Sequence, residues 1–210
     1  GLSYSLLPMK RALIAGLFAG EAVKRHLDII RDHLMFPDGA RLMDRPVAYH
    51  GGVEQLFRRA ESAAYFGREI GLMYTHSHLR TGEAMAAHGQ ADDVWRILLL
   101  ANPAAVTDLL PNAAPRQRNA YFSSSDAAFA DRYAASAEWD RVKDGSITVD
   151  GGWRVYSSGP GLYTNLLLRQ VFGLQRHFGD RVVEPLLPPN HADLAVELVR
   201  GGERRRYGRS

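Results

Sequence analysis

The sequence predicts a mainly α-helical chain, an α/α toroid-like array that runs into β structure only at its end. Three observations predict it. Apolar residues recur at helical spacing in several separate stretches; Val23, Leu27, Ile30 and Leu34 form one such stripe. The helices are joined alternately by short and long connections, the long ones polar and rich in turn residues. The last thirty residues switch to a period-two pattern around Gly201-Gly202.

Taken in order, residues 7–19 and 21–35 read as helices, the second ended by the turn chemistry of Phe36-Pro37-Asp38-Gly39. Residues 40–67, with Pro46, Gly51, Gly52 and several charges, read as an irregular connection. One that long inside a compact domain is usually functional or disordered. Residues 69–88 read as a helix closed by Gly89, and 91–101 as another, with Val94, Ile97, Leu98 and Ala101 on one face. From Pro111 to Ser125 the chain is polar. Helices are predicted at about 126–139 and 161–174, a short strand at 181–187, and a β-hairpin from 194–200 and 203–207.

With 210 residues and 46% hydrophobic content, the chain can bury one proper core. It holds no run of eighteen apolar residues, so nothing in it reads as a membrane span. Cysteine is absent, which excludes disulfides, thiolate catalysis and Cys-ligated zinc, and permits the expected cytoplasmic location. The first residues, Gly1-Leu2-Ser3-Tyr4-Ser5, lack an initiator Met and the build of a signal peptide, so a start inside a longer protein is expected. The net charge of +3 is local: residues 200–210 carry five arginines and one acid, and the remainder has 21 basic and 22 acidic residues. A basic tail is not the stripe of arginines and aromatics that nucleic acid requires, so no nucleic-acid partner is expected.

Three segments carry candidate chemistry. Tyr156-Ser157-Ser158-Gly159-Pro160-Gly161 is a small-residue turn entering an apolar helix. Its start offers free N–H groups and a positive dipole end to an anion, although ordinary helix capping explains the same residues. Gly67 to His78 contains His76, four residues after Leu72 and three before Leu79. That spacing places His76 on a buried face, as a satisfied core residue or as a ligand. The His76-Ser77-His78 spacing does not chelate on a helix, where the two rings point about 200° apart, and no third ligand stands out, so no metal is expected. Asn112 to Asp126 mixes hydrogen-bonding groups with aromatics, as a sugar site requires, or is a solvated loop with Asp126 capping the next helix. Arg41, Asp44, Arg45, Tyr49 and His50 form a similar cluster with the same two readings.

Together these segments resemble glycoside hydrolase family 94, the cellobiose phosphorylase family. Gly67–Ser77 resembles that family's Glu-Asn-Ala-Gly-Ile-Phe-Cys-His-Asn block, which places His76 on its phosphate-contacting histidine and Glu69 on its glutamate. Ser157–Tyr163 resembles its Thr-Gly-Thr-Ala-Ala-Trp block, which places Ser158 and Gly159 on the phosphate-contacting Thr-Gly. Val182–Pro188 resembles its Ile-Asp-Pro-Cys-Ile-Pro block. Phe57 to Ala64 and Tyr121 to Asp126 look like the β-1,2-oligoglucan phosphorylase branch.

The resemblance covers nearly the whole chain and implies the C-terminal helices of an (α/α)6 barrel over residues 1–178 and the first strands of a β domain over 179–210. It implies phosphorolysis with inversion: a β-glucoside and inorganic phosphate give α-glucose 1-phosphate, with no further cofactor. His76, Ser158 and Gly159 would bind phosphate, and Glu69, Asn119, Tyr121 and Asp126 the β-glucan oligosaccharide. Asn119 falls near the family's acceptor-binding Glu, so the acceptor site differs.

The family's general-acid Asp lies in an Asp-Trp-Asn-Asp-type block that these residues lack, so it is expected upstream, and no turnover is expected of this stretch alone. Part of a toroid would expose apolar helix faces, which predicts a homodimer or aggregation. Two other readings are a sugar-binding relative without catalysis and an inverting hydrolase on an α/α toroid. The hydrolase would need a second carboxylate as base and would have no use for an anion seat.

Overall fold

The computed structural model describes residues 3–47, 72–102, 104–114, 124–151, 158–177 and 180–208. Among them the chain is mainly α with few strands. Helix α1 (Leu6–Ile14) and α2 (Glu21–Ile29) come first, and α2 continues as a π-helical turn, Ile30–Leu34. A two-residue hairpin follows, β1 (Met35–Phe36) with β2 (Gly39–Ala40), turning through the Pro37-Asp38 pair read from the sequence.

Strand β3 (Met73–Tyr74) leads directly into α3 (Thr75–Ala86), and α4 (Ala91–Ala101) returns along it after Gly89, whose φ of 70° makes the capping turn. The short helix α5 (Val106–Leu109) comes next. Strand β4 (Ser124–Ala127), helices α6 (Arg132–Ala137) and α7 (Asp140–Lys143), and strand β5 (Val149–Gly151) form the following segment. Helix α8 (Ser158–Asn165) passes into a second π-helical stretch, Leu166–Val171. Two hairpins complete the order: β6 (Leu174–His177) with β7 (Asp180–Val183), and β8 (Ala195–Arg200) with β9 (Glu203–Gly208).

Helix α3 is central and packs on α1, α4 and α8. The main core gathers Leu6 and Leu13 of α1, Leu27, Ile30 and Leu34, Leu79 and Met85 of α3, Val94, Ile97 and Leu98 of α4, and Leu166 and Val171. A smaller cluster joins Phe36, Ala127, Trp139, Val142 and Ile147. Burial of each large apolar side chain contributes about 1.5–3 kcal/mol, so these two clusters carry the folding energy of the helical part.

Three expectations need correction. The helix predicted at 126–139 starts as strand β4, because Ser125, Asp126 and Ala127 pair with Gly151, Asp150 and Val149 of β5. The helical stretch begins only after Asp131, whose carboxylate accepts from the Tyr133 and Ala134 amides at 2.9 Å. Asp126 is therefore no helix cap. The helix predicted from 69 begins at Thr75, since Met73 and Tyr74 are held extended by Ser125 and Ser124. The first helix, predicted over 7–19, ends at Ile14, and Gly16, at φ 64°, takes the left-handed turn beyond it.

Candidate functional site

The shift of α3 to Thr75 changes the setting of His76. It is half-buried and lies in the first turn of the helix, the end where N–H groups lack intrahelical acceptors and the dipole is positive. Its ring stacks near Tyr74, with centroids 6.0 Å apart. The imidazole is held below its ordinary pKa of 6.5, first by burial and then by the positive charges of Arg80, Lys10 and Arg11, against a smaller opposing pull from Glu83. His76 is thus a neutral N–H donor near pH 7, set among cations.

The core histidine of the pair is His78, fully buried. Its Nδ1 accepts from the Ala40 amide at 3.0 Å, so the network assigns the proton to Nε2, which donates to the Ile97 carbonyl at 2.8 Å. With both nitrogens engaged it has none to give a metal. Gly39 makes the approach possible: its φ is 132°, and a Cβ there would meet His78 Nδ1 at 2.9 Å.

Two cations near His76 carried no signal in the motif reading. Lys10 interrupts the apolar stripe of α1 and donates to the Ser77 carbonyl at 3.1 Å and to the Ser77 hydroxyl. Thr81 Oγ1 donates to the same carbonyl at 3.0 Å. Burial lowers the Lys10 ammonium to about 8, helped by Arg11 and Arg80 and opposed by Glu83. Arg80 donates from Nη1 to Glu83 at 2.6 Å, while its buried Nε has no hydrogen-bond partner among the described residues. The spacing Leu6, Lys10, Leu13 was the available sign that Lys10 faces inward.

Ser158 opens α8, three residues ahead of the predicted start at about 161, with Gly159 buried and Pro160 in the first turn. Helix α8 packs against α3, and β3 of the three-stranded sheet runs straight into α3. Asp126 sits in β4 of that sheet, opposite Asp150. The helices that carry His76 and Ser158-Gly159 are thus in contact, and Asp126 lies in the sheet that leads into the first of them. Glu69, Asn119 and Tyr121 lie outside the described residues.

The described members of the 41–50 cluster each have a separate partner. Arg41 is buried on Asp38 at 2.9 Å, and Asp44 accepts from Ser3 and the Tyr4 amide. Arg45 pairs with Asp140 at 2.6 Å, and Tyr49 and His50 lie outside the described residues. Asn112 likewise has a structural role, donating to the Gly145 and Ile147 carbonyls. Among the described residues, a cleft of about 350 Å³ between the second π-helical stretch and the two C-terminal hairpins is lined by Arg169, Val183, Arg205 and Tyr207.

No family model matches the chain. It is 49% identical, over 187 residues or 89% of its own length, to a 1,2-beta-oligoglucan phosphorylase of Listeria innocua, and the match spans 17% of that protein's length. An identity this high over so long a stretch carries the motif resemblance from three blocks to nearly the whole chain, which is a sequence relative of the 1,2-beta-oligoglucan phosphorylases.

Proposed function

We propose that this chain is part of an inverting glycoside phosphorylase that cleaves β-1,2-gluco-oligosaccharides with inorganic phosphate and releases α-glucose 1-phosphate. The observation that carries the reading is His76 in the first turn of α3, with Lys10, Arg11 and Arg80 as the cations acting on it. A half-buried imidazole donor, a helix start and three cations suit a phosphate dianion in charge and in hydrogen bonding. The start of α8 at Ser158-Gly159 supplies the second part of that seat.

An inverting hydrolase needs one carboxylic acid to protonate the leaving oxygen and a second carboxylate to activate water. Phosphate is already a nucleophile, so the base is dispensable and the site must instead hold the anion against the anomeric carbon. In this reading Glu69, Asn119, Tyr121 and Asp126 bind the sugar, and the general acid comes from a part of the polypeptide outside these residues. Residues 1–178 belong to the (α/α)6 barrel and 179–210 open a β domain.

The test is phosphate-dependent release of glucose 1-phosphate from β-1,2-glucan oligosaccharides by the natural full-length polypeptide that contains this chain. Activity that requires phosphate, and falls about a hundredfold or more in His76→Ala, supports the reading. Glucose release without phosphate would make the protein a hydrolase. Sugar binding without any turnover would make it a binding relative.

A further inference from the structure

Lys10 occupies a core position. Leu6, Lys10 and Leu13 form one stripe of α1, and each is at most 2% exposed. A buried ammonium costs several kcal/mol unless it is compensated, and the common compensation is a carboxylate. Among the described residues none lies within ion-pair distance of Lys10 Nζ, whose acceptors are both neutral atoms of Ser77. The charged groups that face it do not restore the balance. Arg11 on its own helix and Arg80 on α3 repel it, and Glu83, also on α3, is bonded to Arg80. On the π-helical turn that packs against α1, Arg31 is held by Asp93 and Asp28, and His33 stacks on Tyr4 at 4.4 Å. Among the described residues, Lys10 is therefore a cation without a carboxylate partner, bonded to the residue next to His76 in the first turn of α3.

On the reading of His76 as a phosphate ligand, we propose that Lys10 is a positioning residue for that phosphate. It fixes the first turn of α3 through Ser77 and supplies from below the positive charge that the bound anion compensates. The device is proton-linked. Free of ligand, the ammonium is lowered to about 8, so part of the population is neutral in mildly alkaline solution. A phosphate dianion nearby favours the charged form, and binding then draws in a proton. His76 is neutral in that range, so it adds nothing to the count.

The test is calorimetric titration of inorganic phosphate into the full chain at pH 8.5, in two buffers of different ionisation enthalpy. Wild type is expected to take up roughly half a proton or more per phosphate bound. Lys10→Arg, which keeps the charge but does not titrate, should bind within about threefold of wild type with no uptake, and Lys10→Met should bind about tenfold or more weakly. Phosphate binding by wild type without proton uptake overturns the role of Lys10 and leaves the His76 seat standing. A folded protein, by circular dichroism, that binds no phosphate overturns the seat itself, and Lys10 with it. If arginine is too large for the core, the wild-type proton count decides alone.

Discussion

The ring of His78 accepts a hydrogen bond from the Ala40 amide at 3.0 Å, which anchors α3 to β2 two residues away from the half-buried His76. One histidine of the pair is structural and the other faces the anion-favouring helix start, and their substitutions should separate accordingly. His78→Ala removes two hydrogen bonds, leaves the buried Ala40 amide without its acceptor, and opens a cavity in the core. A loss of about 2–4 kcal/mol is expected in urea unfolding. His76→Ala should cost less than about 1 kcal/mol, because the side chain is half exposed, while weakening phosphate binding. Equal destabilisation by both changes would mean that His76 is a packing residue.

Which parts of this arrangement could be read in the sequence follows from the range of the forces involved. Helix α4 appears at its predicted limits because its signals are local: Asp92 and Asp93 in the first turn, one apolar face, and a break beyond Ala101. The Gly201-Gly202 turn was equally legible, since its two positive φ angles, 60° and 83°, exclude most other residues. Strands of two to four residues such as β3 and β4 were not, because they extend only by pairing with each other across fifty residues. That missed pairing moved the start of α3 from 69 to 75, and with it the assignment of the inward-facing histidine. The stripe His78, Gly82 and Met85 was present at helical spacing, but Leu72, counted as part of the helix, put His76 on a buried face instead, and Leu72 lies ahead of the helix. For the site, a helix start close to Ser158 was legible from its small residues, although the helix was predicted from about 161. Lys10 was missed despite its spacing with Leu6 and Leu13, because a lysine on an amphipathic helix ordinarily faces water.

Lys10 should also mark the pH dependence of stability. Its folded pKa, about 8, lies below the ordinary 10.5, so between these values the unfolded chain binds more protons than the folded one. Stability then rises with pH across that window, by an amount of order 3 kcal/mol at full effect, and the penalty is fully present below it. Chemical unfolding at pH 7.5, 9 and 10 checks this by comparing wild type with Lys10→Met. The variant should be the more stable at pH 7.5, and the difference should shrink toward pH 10. A constant difference would mean that Lys10 is not perturbed.

Arg41 and Asp38 form an ion pair with both side chains at most 1% exposed, and the guanidinium lies 5.2 Å and 5.6 Å from the Phe36 and Trp139 ring centres. Breaking a buried ion pair by removing one partner is strongly destabilising, so Asp38→Ala should cost about 3–5 kcal/mol. Arg41→Lys should also destabilise, because an ammonium lacks the flat face that the two rings receive. The double change Asp38→Ala with Arg41→Met should recover most of the loss. Thermal melts of the three variants would show it; additive losses in the double variant would refute the pairing as the cause.

Gly82 is where α3 meets the chain leaving α8. A Cβ there would lie 2.6 Å from Leu166 Cδ2 and 3.2 Å from Ile97 Cγ2, and both neighbours are fully buried. Alanine gains about 1 kcal/mol of helix propensity over glycine, and overpacking costs about 1–3 kcal/mol, so the steric term should win narrowly in Gly82→Ala and clearly in Gly82→Val. The same displacement pushes apart the two helices whose first turns carry His76 and Ser158-Gly159, so phosphate affinity should fall along with the melting temperature, although neither variant touches the anion. Melting curves and phosphate titrations on the two variants test both effects. An affinity that stays at the wild-type value while the melting temperature drops would mean that the two helix starts do not share one ligand.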